Sequence, residues 1–188
     1  MLMRQGLLCV LLMVTLRTAA QAPAHWKLHR SRISFISEAP MEHIEAHNNE
    51  GTAIIDMGSR TFAFMVPIAS FTGFNSPLQR EHFNENYMAS GTYPNATFKG
   101  RIIESVDLSV AGAHTVRAKG EFTVHGVERE RIIPCKLVVA ADGIRVTSTF
   151  DVSVEEHGIR IPRVVQQKIA PVVQVKVDAL FLVPDPSP

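Results

Sequence analysis

Val116-Arg117-Ala118-Lys119-Gly120-Glu121-Phe122-Thr123-Val124-His125-Gly126-Val127 is the stretch that decides the fold. Apolar or small residues occupy every second position from 116 to 124. Arg117, Lys119, Glu121 and Thr123 take the positions between. A period of two marks a strand with one apolar face and one wet face, the pattern of an antiparallel sheet. His125-Gly126 then punctuates the run and predicts a turn.

The same period extends in both directions. Phe62, Phe64, Val66 and Ile68 alternate with Thr61, Ala63, Met65 and Pro67. Phe98, Gly100 and Ile102 alternate with Lys99 and Arg101. Ile144 to Val154 alternates with Arg145, Thr147, Thr149, Asp151 and Ser153. Val173 to Phe181 alternates with Gln174, Lys176 and Asp178. Asp142-Gly143 predicts a tight hairpin. Asn48-Asn49-Glu50-Gly51, Asp56-Met57-Gly58-Ser59 and Ala111-Gly112-Ala113 predict further turns. The expectation is eight or nine strands between Trp26 and Val183. No helix–strand alternation appears, which argues against a doubly wound fold.

One segment departs from the strand period. Ser76 is a capping residue, Pro77 suits the first helical position and Gln79 the third. Leu78 to Met88 follows without Gly, Pro or a β-branched residue, and Phe83 and Tyr87 would share a face. The spacing predicts one short helix near residues 77–88. Periodicity leaves two all-β architectures open: a filled sandwich, or a closed barrel with the helix over one mouth. Small residues on the inward faces (Gly100, Ala118, Gly120, Ala179) would leave room inside.

The chain has 188 residues, 46% of them hydrophobic and 20% charged, with a formal net charge of +1. This excludes a disordered chain and a collagen-like one. No basic patch suggests a nucleic-acid partner. Arg4, the apolar stretch Leu7–Leu16 and the small residues Thr18-Ala19-Ala20 read as a signal peptide, residues 1–20, cleaved near Ala20. Removing 20 of 188 residues leaves one domain of 168, residues 21–188, in a periplasmic or secreted location. Cys135 is then the only cysteine, so no internal disulfide can form. Its alternation with Ile133, Leu137 and Val139 predicts burial.

No phosphate-binding, dinucleotide or nucleophile-elbow motif occurs. His43 and His47 would bind a metal only on a helix. On a strand they share a face but lie ~13 Å apart, so no metal site is expected. Glu155-Glu156-His157-Gly158 reads as a mixed loop with no nucleophile to pair with. Asn95-Ala96-Thr97 matches a glycosylation pattern but lies at a strand start.

Three motifs carry a family resemblance. Gln79-Arg80-Glu81-His82-Phe83 resembles the Arg-Asp-x-His-Leu helix of the YceI-like family of exported lipid-binding proteins. Tyr93-Pro94-Asn95-Ala96-Thr97-Phe98 resembles its Tyr-Pro-x-Ile-x-Phe strand start. Gly120 to Val127 resembles its Gly-x-Leu-Thr-Ile-His-Gly-Val hairpin. They occur in the family's order and spacing, and the resemblance covers about residues 26–183. Val154-Glu155-Glu156-His157-Gly158 departs from the family's late Asp-Arg-x-x-Phe-Gly. The Met41–Asn49 and Pro162–Lys168 segments resemble a divergent, Bacteroidota-type branch.

The resemblance implies an extended, lipocalin-like antiparallel β-barrel of about eight strands, and so favours barrel over sandwich. It implies an apolar lumen holding an amphiphilic long-chain lipid of polyisoprenoid or quinone type. The tail would lie along Phe62, Phe64, Val66, Ile68, Phe98, Phe122, Val124, Phe150 and Val177. Arg80, His82 and Asn84 on the helix are candidates for the head group. The expected partner is that lipid, with a homodimer and transient membrane contact as further expectations, and no cofactor beyond the lipid. Two rivals stand beside this reading. One is a filled barrel acting as an interaction module in envelope stress or respiration. The other is a lumen enzyme using His82 or His125 as a base.

Overall fold

The computed structural model describes residues 25–108 and 110–182; the expected signal peptide lies outside them. Nine strands follow in order: β1 (His25–Glu38), β2 (His43–Asn48), β3 (Thr52–Asp56), β4 (Thr61–Pro67), β5 (Asn95–Ile102), β6 (Gly112–Val124), β7 (Val127–Ala140), β8 (Gly143–Ser153) and β9 (Val172–Leu182). All pairings are antiparallel, and β1 pairs with β9 over Leu28–Ile36, which closes the sheet into a barrel. Its inward positions are the apolar ones of the alternating runs. At ~3.4 Å per residue, the 13 residues of β6 span ~44 Å, so the barrel is long for its width.

Nine strands make eight staves. β2 lies along Ile33–Glu38 of β1, and β3 lies along His25–Lys27 of the same edge in the same register. The chain therefore does not reverse at Asn48–Gly51, as its turn-like composition suggests. It interrupts one stave. The buried Asn48 side chain, 1% exposed, explains the break. Its amide donates to the Pro67 carbonyl at 2.7 Å, and its Oδ1 accepts from the Glu50 N–H at 2.7 Å. Such a local side-chain bond competes with the ladder.

The other punctuation matches its sequence reading more closely. Asp56 Oδ1 accepts from the N–H groups of Gly58 and Ser59, closing the β3–β4 turn. His125 (φ 51°) and Gly126 (φ 71°) form the two-residue β6–β7 turn, with both central residues left-handed. A Cβ at Gly126 would sit 2.4 Å from the Tyr93 ring, so glycine is required twice over. The β7–β8 turn uses Ala141 and Asp142, and Gly143 already pairs with Ala140. Gly112 and Ala113 open β6 rather than forming a turn.

Gly100 and Gly120 face each other across β5 and β6. They do not widen the lumen. A Cβ on either would lie 2.1 Å from a carbonyl of the facing strand. The pair lets the two backbones approach closely at this point of the β5–β6 ladder.

The helical segment is α1 (Pro77–His82) continued by one wider π-turn, Phe83–Tyr87. Ser76 Oγ accepts from Gln79 N–H at 3.1 Å, and the Gln79 side chain accepts from Asn75 N–H at 3.0 Å. The segment follows β4 and lies beside β2, which pairs with β1 alone among the strands. Main-chain bonds between His47 and Thr72 hold the connecting chain against β2. Phe35, Phe71, Phe74 and Phe83 form a wedge there, with ring centroids 5.0–6.0 Å apart. At the opposite end, Val116, Leu137, Val139 and Ile144 pack with Ile102, Leu108 and the half-buried Trp26, and fill the barrel.

Candidate functional site: an apolar lumen with a polar mouth

Between the aromatic wedge and the filled end lies a cavity of about 600 Å³. That is the size range of small-molecule sites. Every strand contributes to its wall, and Ile102, Val116 and Leu137 of the filled end form its floor. Phe62, Phe64, Val66, Ile68, Phe98, Phe122, Val124, Phe150 and Val177 all line it. Four of these rings form a chain: Phe62 to Phe98 at 4.9 Å, Phe98 to Phe122 at 6.0 Å, Phe122 to Phe150 at 5.8 Å. Ala118 and Ala179 also line the wall, whereas Gly100 and Gly120 do not.

The cavity reaches the surface between three connections: the β1–β2 turn, the start of α1 and the β8–β9 loop. Glu42, Ser76, Gln79, His82 and Lys168 supply polar groups there. Gln79 Nε2 donates to Glu42 Oε1 at 2.8 Å, and the Met41 N–H donates to the Gln167 carbonyl at 2.8 Å. These bonds tie the three connections together. Of the three expected head-group residues, only His82 faces the cavity. Arg80 points away, its guanidinium donating to the Ala69 carbonyl at 2.9 Å, and Asn84 donates to the Arg80 carbonyl at 3.0 Å. The i to i+4 spacing that sets Phe83 and Tyr87 inward sets Arg80 and Asn84 outward.

Cys135 lines the cavity, half-buried, with its thiol 3.6 Å from the Ile133 carbonyl. Burial pushes the thiol pKa up, against smaller opposing bonds from Ser148 and the Ala118 backbone. A raised thiol pKa is the reverse of what a nucleophilic cysteine needs. His43 and His47 lie on a strand, and His43 Nδ1 pairs with Glu38 at 2.6 Å. Among the described residues, no three His, Cys, Asp or Glu side chains gather as a metal site.

The sequence reading missed His157. It is fully buried, its Nδ1 lies 3.1 Å from the Val127 carbonyl, and its ring meets Phe122 edge-on at 5.5 Å. His125 Nδ1 lies 3.1 Å from the His157 carbonyl, so the two histidines join the β6–β7 turn to the β8–β9 loop. Burial holds the His157 pKa below its ordinary value, helped by Arg131 and Arg129 and opposed by the bond to Val127 and by Glu156.

The chain as a whole has relatives among known proteins. The model of the YceI-like domain matches residues 26–181, and the chain belongs to that family. No curated protein matches the sequence. The fold is similar to that of a polyisoprenoid-binding domain from Saccharophagus degradans, at 14% identity and TM-score 0.72, covering 86% of this chain and 99% of that one. It is similar to BcnA of Burkholderia cenocepacia, at 16% identity and TM-score 0.67, covering 80% and 95%. A YceI protein of Campylobacter jejuni matches at 13% identity and TM-score 0.54, covering 72% and 83%.

Proposed function

We propose that the chain is a binding protein that holds one amphiphilic long-chain lipid, of polyisoprenoid or quinone type, in its lumen. One observation carries this reading: a cavity of about 600 Å³ with an almost wholly apolar wall opens at a mouth lined with polar groups. A tail gains ~0.8 kcal/mol for each methylene it buries there. A few isoprene units therefore offset an association cost of ~4–15 kcal/mol. The head group would meet His82, Gln79, Glu42 and Lys168. The structural likeness to a polyisoprenoid-binding domain supports this choice of ligand class.

The protein works in the periplasm or outside the cell after loss of residues 1–20, on the reading of its first residues. The cavity counts against a filled-barrel module. The enzyme alternative has little geometry behind it. His125 does not line the cavity and lies against the His157 carbonyl, and His82 stands at the mouth rather than in the apolar interior. Native mass spectrometry of protein purified from its own envelope tests the reading. A one-to-one lipid adduct is expected. Bare protein, after both native purification and incubation with polyprenyl lipid in detergent, would overturn it.

A further inference from the structure

The three most exposed large apolar side chains among the described residues are Val164 at 90%, Met41 at 65% and Leu78 at 57%. They come from three distant parts of the sequence, yet all three stand at the mouth. Met41 belongs to the β1–β2 turn that bonds to Gln167. Leu78 lines the cavity itself, and Val164 adjoins Val165, which also lines it. Solvent gives no reason for such a rim, since exposed aliphatic groups that converge mark a contact surface.

One side of the rim, the later part of the β8–β9 loop, is cationic. From His157 to Val177 the chain carries Arg160, Arg163, Lys168 and Lys176 and no acid. Acids share this end of the barrel on the other side: Glu42 bonds the neutral Gln79, Glu38 pairs with His43, Glu81 is exposed on α1, and Glu155 and Glu156 open the β8–β9 loop. Aliphatic side chains flanked by cations match an anionic bilayer, in which the aliphatic groups enter the headgroup region and the cations meet phosphates. Continuity with the lumen gives the contact a purpose. A long chain that crosses water exposes every methylene on the way. A mouth seated on the bilayer removes that passage.

We infer that Met41, Leu78 and Val164, with Arg160, Arg163 and Lys168, form a rim that docks the mouth of the lumen on an anionic bilayer. The inference rests on the carrier reading and locates where the lipid enters.

The test is flotation of delipidated protein with vesicles of phosphatidylcholine, with or without phosphatidylglycerol. In parallel, each protein is loaded with polyprenyl lipid from detergent micelles and weighed by native mass spectrometry. Val164→Asp and Arg163→Glu are the variants; neither residue lines the cavity. The wild type should float only with the mixed vesicles, and less in high salt. Val164→Asp should lower vesicle partitioning about tenfold, and Arg163→Glu should weaken it too. Loading from micelles should stay unchanged in both. Absence of wild-type flotation, or equal flotation of the variants, would overturn the docking. So would a wild-type dimer that Val164→Asp dissociates, because the rim would then be a contact between copies. Failed loading from micelles with intact flotation would sink the carrier reading alone.

Discussion

Ser148 Oγ donates to the Pro134 carbonyl at 2.7 Å, at the point where the β7–β8 ladder stops. Cys135 still pairs with Ser148, but Pro134 has no N–H and ladder pairing ends there. Beyond it, β8 pairs only with β9, and β7 pairs only with β6. Arginines replace the missing ladder. Arg131 donates to the Asp151 carbonyl at 2.6 Å, and Arg129 donates to the Glu156 carbonyl at 3.1 Å. The barrel is thus stitched along this seam by side chains.

The seam makes Arg131 a stability residue on a nominally wet face. Arg131→Ala should cost about 1 kcal/mol, and Arg131→Lys should recover part of it. Urea unfolding gives the answer. An unchanged midpoint for Arg131→Ala would mean that the guanidinium bonds add nothing to closure.

Stability should depend on pH through His157. Its folded pKa lies below the ordinary 6.5. The unfolded chain therefore binds a proton that the folded chain refuses. The His157 contribution is complete above pH 6.5 and is lost as pH falls from there through the folded pKa. Unfolding midpoints should fall on acidification across this window, and His157→Gln should flatten the slope. A wild-type curve equally stable at pH 7.5 and pH 5 would contradict the burial argument.

Gly100→Ala or Gly120→Ala should each destabilise by about 1–3 kcal/mol, since the new methyl meets a facing carbonyl and the sheet must shift. Thermal melts of the two variants are the check. Wild-type melting temperatures would show that β5 and β6 lie farther apart than described.

Cys135 should alkylate slowly in native buffer near neutral pH and quickly in urea, because it is half-buried with a raised pKa. Bound lipid should slow the native reaction further, since the thiol lines the lumen. Native labelling as fast as in urea would place the thiol outside the wall.

Much of this architecture is legible in the sequence, for a definite reason. A strand with one face in the lumen must alternate, so Phe62, Phe98, Phe122 and Val177 declare their side by parity alone. A closed barrel and a sandwich share that parity, and closure by β1 and β9 leaves no local signal. The Asn48–Gly51 segment has turn composition, but composition does not tell a reversal from a break in one stave. His157 hides in a polar-looking run because its burial comes from Val127 and Phe122, distant in sequence. The mouth was half-legible. The sequence reading names His82 together with Arg80 and Asn84 and does not separate them, and Glu42 and Lys168 join His82 only through contacts between remote connections.

The central claim is an open lumen rather than a packed core, and one paired measurement on Val177→Phe addresses it most directly. Val177 lines the cavity from β9, half-buried. In an open lumen, the larger ring takes space from the ligand and strains little. Lipid occupancy by native mass spectrometry should fall at least several-fold, while urea unfolding of delipidated protein should change by less than ~1 kcal/mol. Delipidation matters because bound ligand itself raises apparent stability. Undiminished occupancy, or a loss of ~1–3 kcal/mol with no lipid bound by either protein, is the result of a filled barrel and would contradict the account.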